Sequence, residues 1–240
     1  MRVPSLRANL KTMVERLRTS FSDRRLLVFG ALVGLSGLVA GLVAFRVAYS
    51  HSFEDVSFLW NLFLAWIPFG LALFIYDRHR RGARRVQLLA LGLLWLLFFP
   101  NAPYIVTDFR YLADITGKVF WYEGLLIGTA ASTGLLLGFM SLYLIQAIVR
   151  RAAGARYAWL FVFVALGLSS VGVYLGRVLR WNSWDVFVRP GSLLGELARV
   201  LVDPLGHPRS IAISIVFTSF LLASYAIFYS LARTSSLLGE

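Results

Sequence analysis

The 240-residue chain is 58% apolar and 15% charged, has no cysteine, and sets 24 Lys and Arg against 12 Asp and Glu for a formal charge of +12. A mean hydropathy of +0.72 lies far from the balance of a water-soluble domain, and the lack of cysteine excludes disulfides, thiolate catalysis and Cys-based metal sites. The charge does not indicate nucleic acid as a partner, because Lys and Arg cluster at the ends of apolar runs, which is the topology signal of a membrane protein.

Residues 1–25 place Leu6, Leu10, Met13, Val14, Leu17 and Phe21 at helical spacing, with Arg7, Lys11, Arg16 and Arg18 between them. The pattern fits a helix lying on an anionic leaflet, or equally a basic leader that only fixes orientation. A cleaved signal is not expected, since the apolar positions are spaced out and the run that follows is too long for a signal's apolar core. Six apolar runs follow, at 26–49, 57–76, 86–106, 124–149, 157–176 and 210–232. Each reaches about the 20 residues needed to cover a hydrocarbon core of ~30 Å, and each is continuously apolar where barrel strands would alternate. The expected fold is all-α: a polytopic integral membrane protein, a six-helix transmembrane bundle with short interfacial helices. The expected organisation is a basic amphipathic segment at 1–25, one membrane domain at 26–233 and a short tail at 234–240.

Counting cations by side orients the bundle. Seven Lys and Arg in 1–25, five in 77–85, three in 150–156 and Arg233 fall on one side, against two in 107–123 and five in 177–209 on the other. Sixteen against seven predicts both termini in the cytoplasm. Glycines at four-residue spacing (Gly30/Gly34 and Gly37/Gly41 in the first span, Gly124/Gly128 and Gly134/Gly138 in the fourth, Gly172/Gly176 in the fifth) let helix backbones approach closely. Packing within one bundle is the first reading of these faces; a homo- or hetero-oligomer is the second. No internal repeat of the kind found in many secondary transporters is visible.

Two segments break the apolar pattern in ways that packing does not require. The third span closes on Phe99, Pro100, Asn101, Ala102, Pro103 and Tyr104, then Thr107 and Asp108. Two prolines three residues apart interrupt the helix and free carbonyls that Asn101, Tyr104 and Thr107 can partner. Asp108 then lies near the interface, where a carboxylate is costly unless paired. The fifth span closes on Tyr174, Arg177, Arg180, Trp181, Asn182, Trp184 and Asp185, where two guanidiniums on one face suit a carboxylate or phosphate. The site expectation is thus Arg177 and Arg180 as anion-binding residues, Asn101, Tyr104, Trp181, Asn182 and Trp184 as orienting residues, and Asp108 or Asp185 as base or counter-ion. Against it stand an aromatic belt with snorkelling arginines and a purely structural pairing, Asp108 with Arg177 or Asp185 with Arg180. A second interfacial helix is expected around Leu193, Leu194, Leu197, Val200 and Leu201, stopped by Pro204. Asn61 and Pro68 read as packing and kink residues, Glu54 and Asp55 as an acidic outer turn, and Arg46 as a snorkelling residue. His51, His79 and His207 are too scattered for a metal site, no nucleotide-binding or nucleophile-elbow motif occurs, and no cofactor is expected.

The runs LLFFPNAPYIVTDFRYL (96–112) and VYLGRVLRWNSWDVFVRPGSLL (173–194) resemble the bacterial membrane-protein family catalogued as domain of unknown function 1361. The resemblance covers most of the chain from about residue 30 onward. It implies a bacterial plasma (inner) membrane protein and adds no mechanism. It also implies a histidine or similar polar residue near Arg110; this chain departs there, so Arg110 is given no proton-transfer role. Three function classes remain open: an outer-interface site for an anionic lipid headgroup, lipid-linked phosphate or small carboxylate; a small-solute transporter; and a non-catalytic scaffold or partner subunit in the bilayer.

Overall fold

The computed structural model describes residues 6–51, 55–114, 119–178 and 208–237, with the single positions 188, 191 and 195. Helix α1 is Leu6–Ser50 and α2 is Val56–Arg80; the third span is α3, Arg85–Phe98, continued by α4, Asn101–Tyr104, and a 3₁₀ segment, Ile105–Asp114. Then follow α5, Val119–Ala153, α6, Ala155–Val178, and a last helix, α7, Pro208–Leu237. Among the described residues there is no strand, and six helices are long and apolar enough to cross a membrane: 26–50, 56–80, 85–113, 120–153, 155–177 and 211–234. The all-α six-helix bundle is therefore the fold, and the chain is a multi-pass membrane protein.

The observed elements differ from the expected ones at their ends. Helix α1 runs unbroken for 45 residues, so the 6–25 stretch continues the first span's helix where a separate interfacial helix was one expectation. The third span stays helical to Asp114, and α5 begins at Val119, so much of what reads as an outer loop at 107–123 is helix. The interfacial helix expected near 193–201 lies outside the described residues, apart from Gly195.

Tight hairpins join α2 to α3 and α5 to α6. Gly82 at φ +76° and Gly154 at φ +91° take the left-handed conformation that ends a helix, which costs a residue with a Cβ much more. Helix α5 is the hub. Of its span, 61% is buried against other helices, compared with 17% for the first span and 11% for the last, and its largest contact is with α2. The core divides in two along α5. One part joins Leu32, Val39 and Val43 of α1, Phe58, Leu62 and Phe69 of α2, and Leu126, Ile127 and Leu137 of α5. The other joins Trp95 and Phe99 to Leu142, Val162, Leu166, Leu221 and Tyr225 on α5, α6 and α7. Because lipid is as apolar as these side chains, packing and interhelical hydrogen bonds hold such a core more than exclusion of water does. Two bonds of this kind run from Trp66 Nε1 to Ser36 Oγ at 3.1 Å and from Trp95 Nε1 to Ser141 Oγ at 3.3 Å.

The prolines shape the third span as their chemistry requires. Neither Pro100 nor Pro103 can donate to a carbonyl one turn back. The chain instead tightens, with Ala102 N–H donating to Phe99 O at 3.1 Å and Tyr104 N–H to Pro100 O at 3.1 Å. The Asn101 side chain donates to Phe98 O at 2.9 Å, satisfying one of the carbonyls left at the end of α3. The resulting knuckle presses into α5 and α6 where those helices carry glycine. An added Cβ on Gly134 would stand 2.6 Å from Ala102 O, and one on Gly172 would stand 2.8 Å from Pro100 Cγ. Gly134, Gly138 and Gly172 therefore make close approaches inside the bundle, whereas Gly30, Gly34, Gly37 and Gly41 have nothing within 4 Å of the same point.

Candidate functional site

The knuckle aims the 3₁₀ segment across the end of the bundle that carries the α1–α2 connection. There Thr107 and Asp108 meet Arg177, in the last turn of α6, and Asn61, early in α2. Arg177 Nη2 donates to Asp108 Oδ1, Nε donates to Thr107 Oγ1 at 2.8 Å, and Nη1 donates to the Tyr111 hydroxyl at 3.2 Å. The Thr107 hydroxyl in turn donates to Tyr104 O at 2.7 Å. The second carboxylate oxygen of Asp108 accepts from Asn61 Nδ2 at 3.3 Å. The guanidinium also lies over the rings of Tyr104, at 4.5 Å, and Tyr111, at 5.5 Å, where the ring quadrupoles favour a cation. The Arg177 and Asp108 side chains are 12% and 2% exposed. Every nitrogen of the guanidinium and both oxygens of the carboxylate thus have a partner, and α2, the third span and α6 are joined through one neutral cluster.

The expected site residues divide accordingly. Asp108, Arg177 and Tyr104 come together. Asn101 sits on the knuckle with its amide turned back to Phe98 O, an arrangement that serves the backbone break. Arg180, Trp181, Asn182, Trp184 and Asp185 lie outside the described residues, and so does any Asp185–Arg180 pair. Asn61 and Tyr111 were missed as members of the cluster. Asn61 reads as packing until the knuckle is seen to carry Asp108 back toward α2. Tyr111, six residues beyond the start of the 3₁₀ segment, reads as one more interfacial aromatic.

A second cluster at the same end corrects the reading of Arg46 as a snorkelling residue and of Asp55 as a mere turn residue. Arg46 Nε lies 2.6 Å from Glu123 Oε1 and 3.5 Å from Asp55 Oδ2. Its N–H is not aligned with an acceptor, so these are charge contacts more than hydrogen bonds. Glu123, 4% exposed in its side chain, was missed because it fell in the supposed outer loop; it is in fact in the second turn of α5. Next to it, the Tyr122 hydroxyl donates to Leu42 O of α1. This cluster ties α1 to α5 and to the start of α2. Glu123→Ala is expected to cost about 1–3 kcal/mol, less than a fully buried pair, since Arg46 keeps some solvent contact and Asp55. Unfolding of the purified protein in mixed micelles measures it, and a loss under about 0.5 kcal/mol would show that Asp55 alone holds the arginine.

Among the described residues no group of three or more His, Asp or Glu is placed to hold a metal ion. A family model described as "Protein of unknown function (DUF1361)" matches residues 60–224. No curated protein and no solved structure matches the chain. The matched stretch contains Asn61, the whole knuckle, Asp108, Glu123 and Arg177; it leaves out Arg46 and Asp55.

Proposed function

The chain belongs to the DUF1361 family of unknown function, and from that premise we propose that it acts without catalysis, as a membrane-embedded scaffold or partner subunit of the bacterial plasma membrane, with both termini in the cytoplasm. The orientation rests on the sixteen-to-seven imbalance of cations. The observation that carries the non-catalytic reading is the closure of the Asp108–Arg177 cluster: a base must lie within hydrogen-bond reach of the reacting proton, and Asp108, 1% exposed, is covered and held by Arg177 and Asn61. An anion clamp likewise needs guanidinium donors turned outward, whereas each Arg177 nitrogen gives a bond to Asp108, Thr107 or Tyr111 on a side chain only 12% exposed.

One observation favours a second reading, an outer-interface site for an anionic headgroup. Arg110 is exposed, has no ion pair among the described residues, and lies over the Tyr111 ring at 5.2 Å, next to the closed cluster. It would then replace Arg177 as the cation that meets the ligand.

The two readings separate in the host. If the cluster only holds helices together, the phenotype of Asp108→Asn and of Arg177→Met will track the amount of folded protein in the membrane. The pair of changes together will recover part of what either loses alone, because no uncompensated charge remains. A variant with wild-type abundance and thermal stability but a null phenotype would overturn the scaffold reading. If the null variant were Arg110→Gln, the headgroup reading would take its place.

A further inference from the structure

At the opposite end of the bundle, α5 and α7 leave a half-open cavity of about 350 Å³, lined by Tyr143, Gln146, Ala147, Arg150, Arg151 and Tyr229. It is distant from the Asp108 cluster. That cluster adjoins α5 around Gly128, where an added Cβ would stand 4.0 Å from Phe109 Cζ, and 22 residues of helix separate Gly128 from Arg150, about 33 Å at 1.5 Å per residue. The reading of one site therefore does not depend on the other.

Three features of the cavity point to a ligand. The first is charge: Arg150 and Arg151 line it, no carboxylate does, and neither arginine has an ion pair among the described residues. The second is an unused donor. Gln146 is 2% exposed, and its Nε2 has no hydrogen-bond partner. Its oxygen is already engaged, because the Tyr225 hydroxyl donates to Gln146 Oε1 at 2.6 Å, so the amide's two N–H groups are what remain to be satisfied. A buried polar group without a partner calls for an explanation, and a ligand acceptor in the cavity supplies one. The third is preorganisation. Arg150 Nη1 donates to the Tyr229 hydroxyl at 3.1 Å, and the Tyr229 ring is wedged against Tyr143 and Trp159. The arginine, although exposed, is thus tethered at the cavity wall.

We propose that this cavity binds a phosphate group carried by an anionic ligand, through Arg150, Arg151 and the Gln146 amide. Donors converging from two guanidiniums and an amide suit the several acceptor oxygens of a phosphate better than the two coplanar oxygens of a carboxylate. The volume is larger than a bare phosphate needs and leaves room for the ester it is attached to. The location gives the chemistry two sources. The cavity opens at the end that carries the 77–85 and 150–156 loops, with five and three cations, the side on which basic pockets between transmembrane helices take anionic lipid headgroups; a soluble phosphate ester would reach it from the same side.

The test uses the full chain in nanodiscs of phosphatidylcholine alone, of phosphatidylcholine mixed with phosphatidylglycerol, and of phosphatidylcholine with inorganic phosphate in the buffer. Thermal unfolding and the lipid retained in native mass spectrometry are the readouts. Stabilisation by phosphatidylglycerol with its retention identifies a lipid headgroup, and stabilisation by inorganic phosphate identifies a soluble phosphate ester. Either response should weaken by roughly tenfold or more in Arg150→Gln/Arg151→Gln, as expected when charge-assisted contacts are lost. Because Arg150 also holds Tyr229, a second variant guards against simple misfolding. Gln146→Met/Tyr225→Phe removes the amide donors and keeps the volume, and it should lose the response that Tyr225→Phe alone retains. No stabilisation by either phosphate source, or equal stabilisation of the wild type and both variants, overturns the proposal.

Discussion

Asp108→Ala is expected to cost the bundle about 3–5 kcal/mol, the range for removing one member of a buried ion pair. The cost is not the Coulomb energy of the pair. It is what remains afterwards: a guanidinium 12% exposed with Nη2 facing a gap, and an Asn61 amide without its acceptor, at the meeting point of three spans. Arg177→Ala should fall in the same range by a different route, since it leaves the carboxylate uncompensated and strips the cation from between the Tyr104 and Tyr111 rings. Arg177→Lys keeps the charge but not the planar fork. It cannot serve Thr107, Tyr111 and Asp108 together, so it should land between the wild type and the alanine variant. A double-mutant cycle on Asp108 and Arg177, read from unfolding in mixed micelles, should give a coupling of about 0.5–3 kcal/mol. An Asp108→Ala protein within about 0.5 kcal/mol of the wild type would remove the cluster from any account of what holds the spans together.

The spans were legible because their signal is local. Length and continuous apolarity are properties of each run, and the interior of a bilayer permits only helices with all backbone groups paired inside the segment. The break in the third span was legible for the same reason: Pro100 and Pro103 act on the carbonyls just behind them. What failed was most of what depended on where a turn of chain ends up. Glu123 could not be joined to Arg46 without knowing that α5 starts at Val119 and that α1 packs beside it. Asn61 and Asp108 are 47 residues apart, and only the fold of the knuckle over α2 makes them neighbours. Asp108 and Arg177 were singled out, since a carboxylate and an arginine near the ends of apolar runs are costly unless paired. The spacing alone could not say whether they face each other or a ligand. Gln146 gave no signal at all, because one glutamine in an apolar run looks like packing until its amide is found without a partner.

Gly134 is where the knuckle's seating can be tested most sharply. A glycine in mid-helix costs roughly 0.5–1 kcal/mol relative to alanine, so Gly→Ala stabilises wherever space allows. At Gly30 or Gly34, with nothing within 4 Å of the new Cβ, the exchange should be neutral or should gain up to that amount. At Gly134 the same methyl would meet Ala102 O at 2.6 Å and Ile105 Cδ1 at 3.0 Å. The first of these is backbone, and it belongs to the tightened turn between two prolines, so it cannot swing aside as a side-chain tip would. Gly134→Ala should therefore destabilise by about 1–3 kcal/mol in spite of the helix propensity it gains, and Gly134→Val should reach or exceed the top of that range. Gly172→Ala should follow in sign, since its methyl would strike the Pro100 ring at 2.8 Å, and a pyrrolidine has little freedom to yield. The knuckle also aims Asp108 at Arg177, so pushing it off α5 should loosen the ion cluster as well. Gly134→Val combined with Asp108→Ala should then cost less than the two changes summed. Strict additivity in that pair would mean that the knuckle and the ion cluster are held independently, and a Gly134→Ala protein as stable as Gly30→Ala would mean that the knuckle does not seat on Gly134.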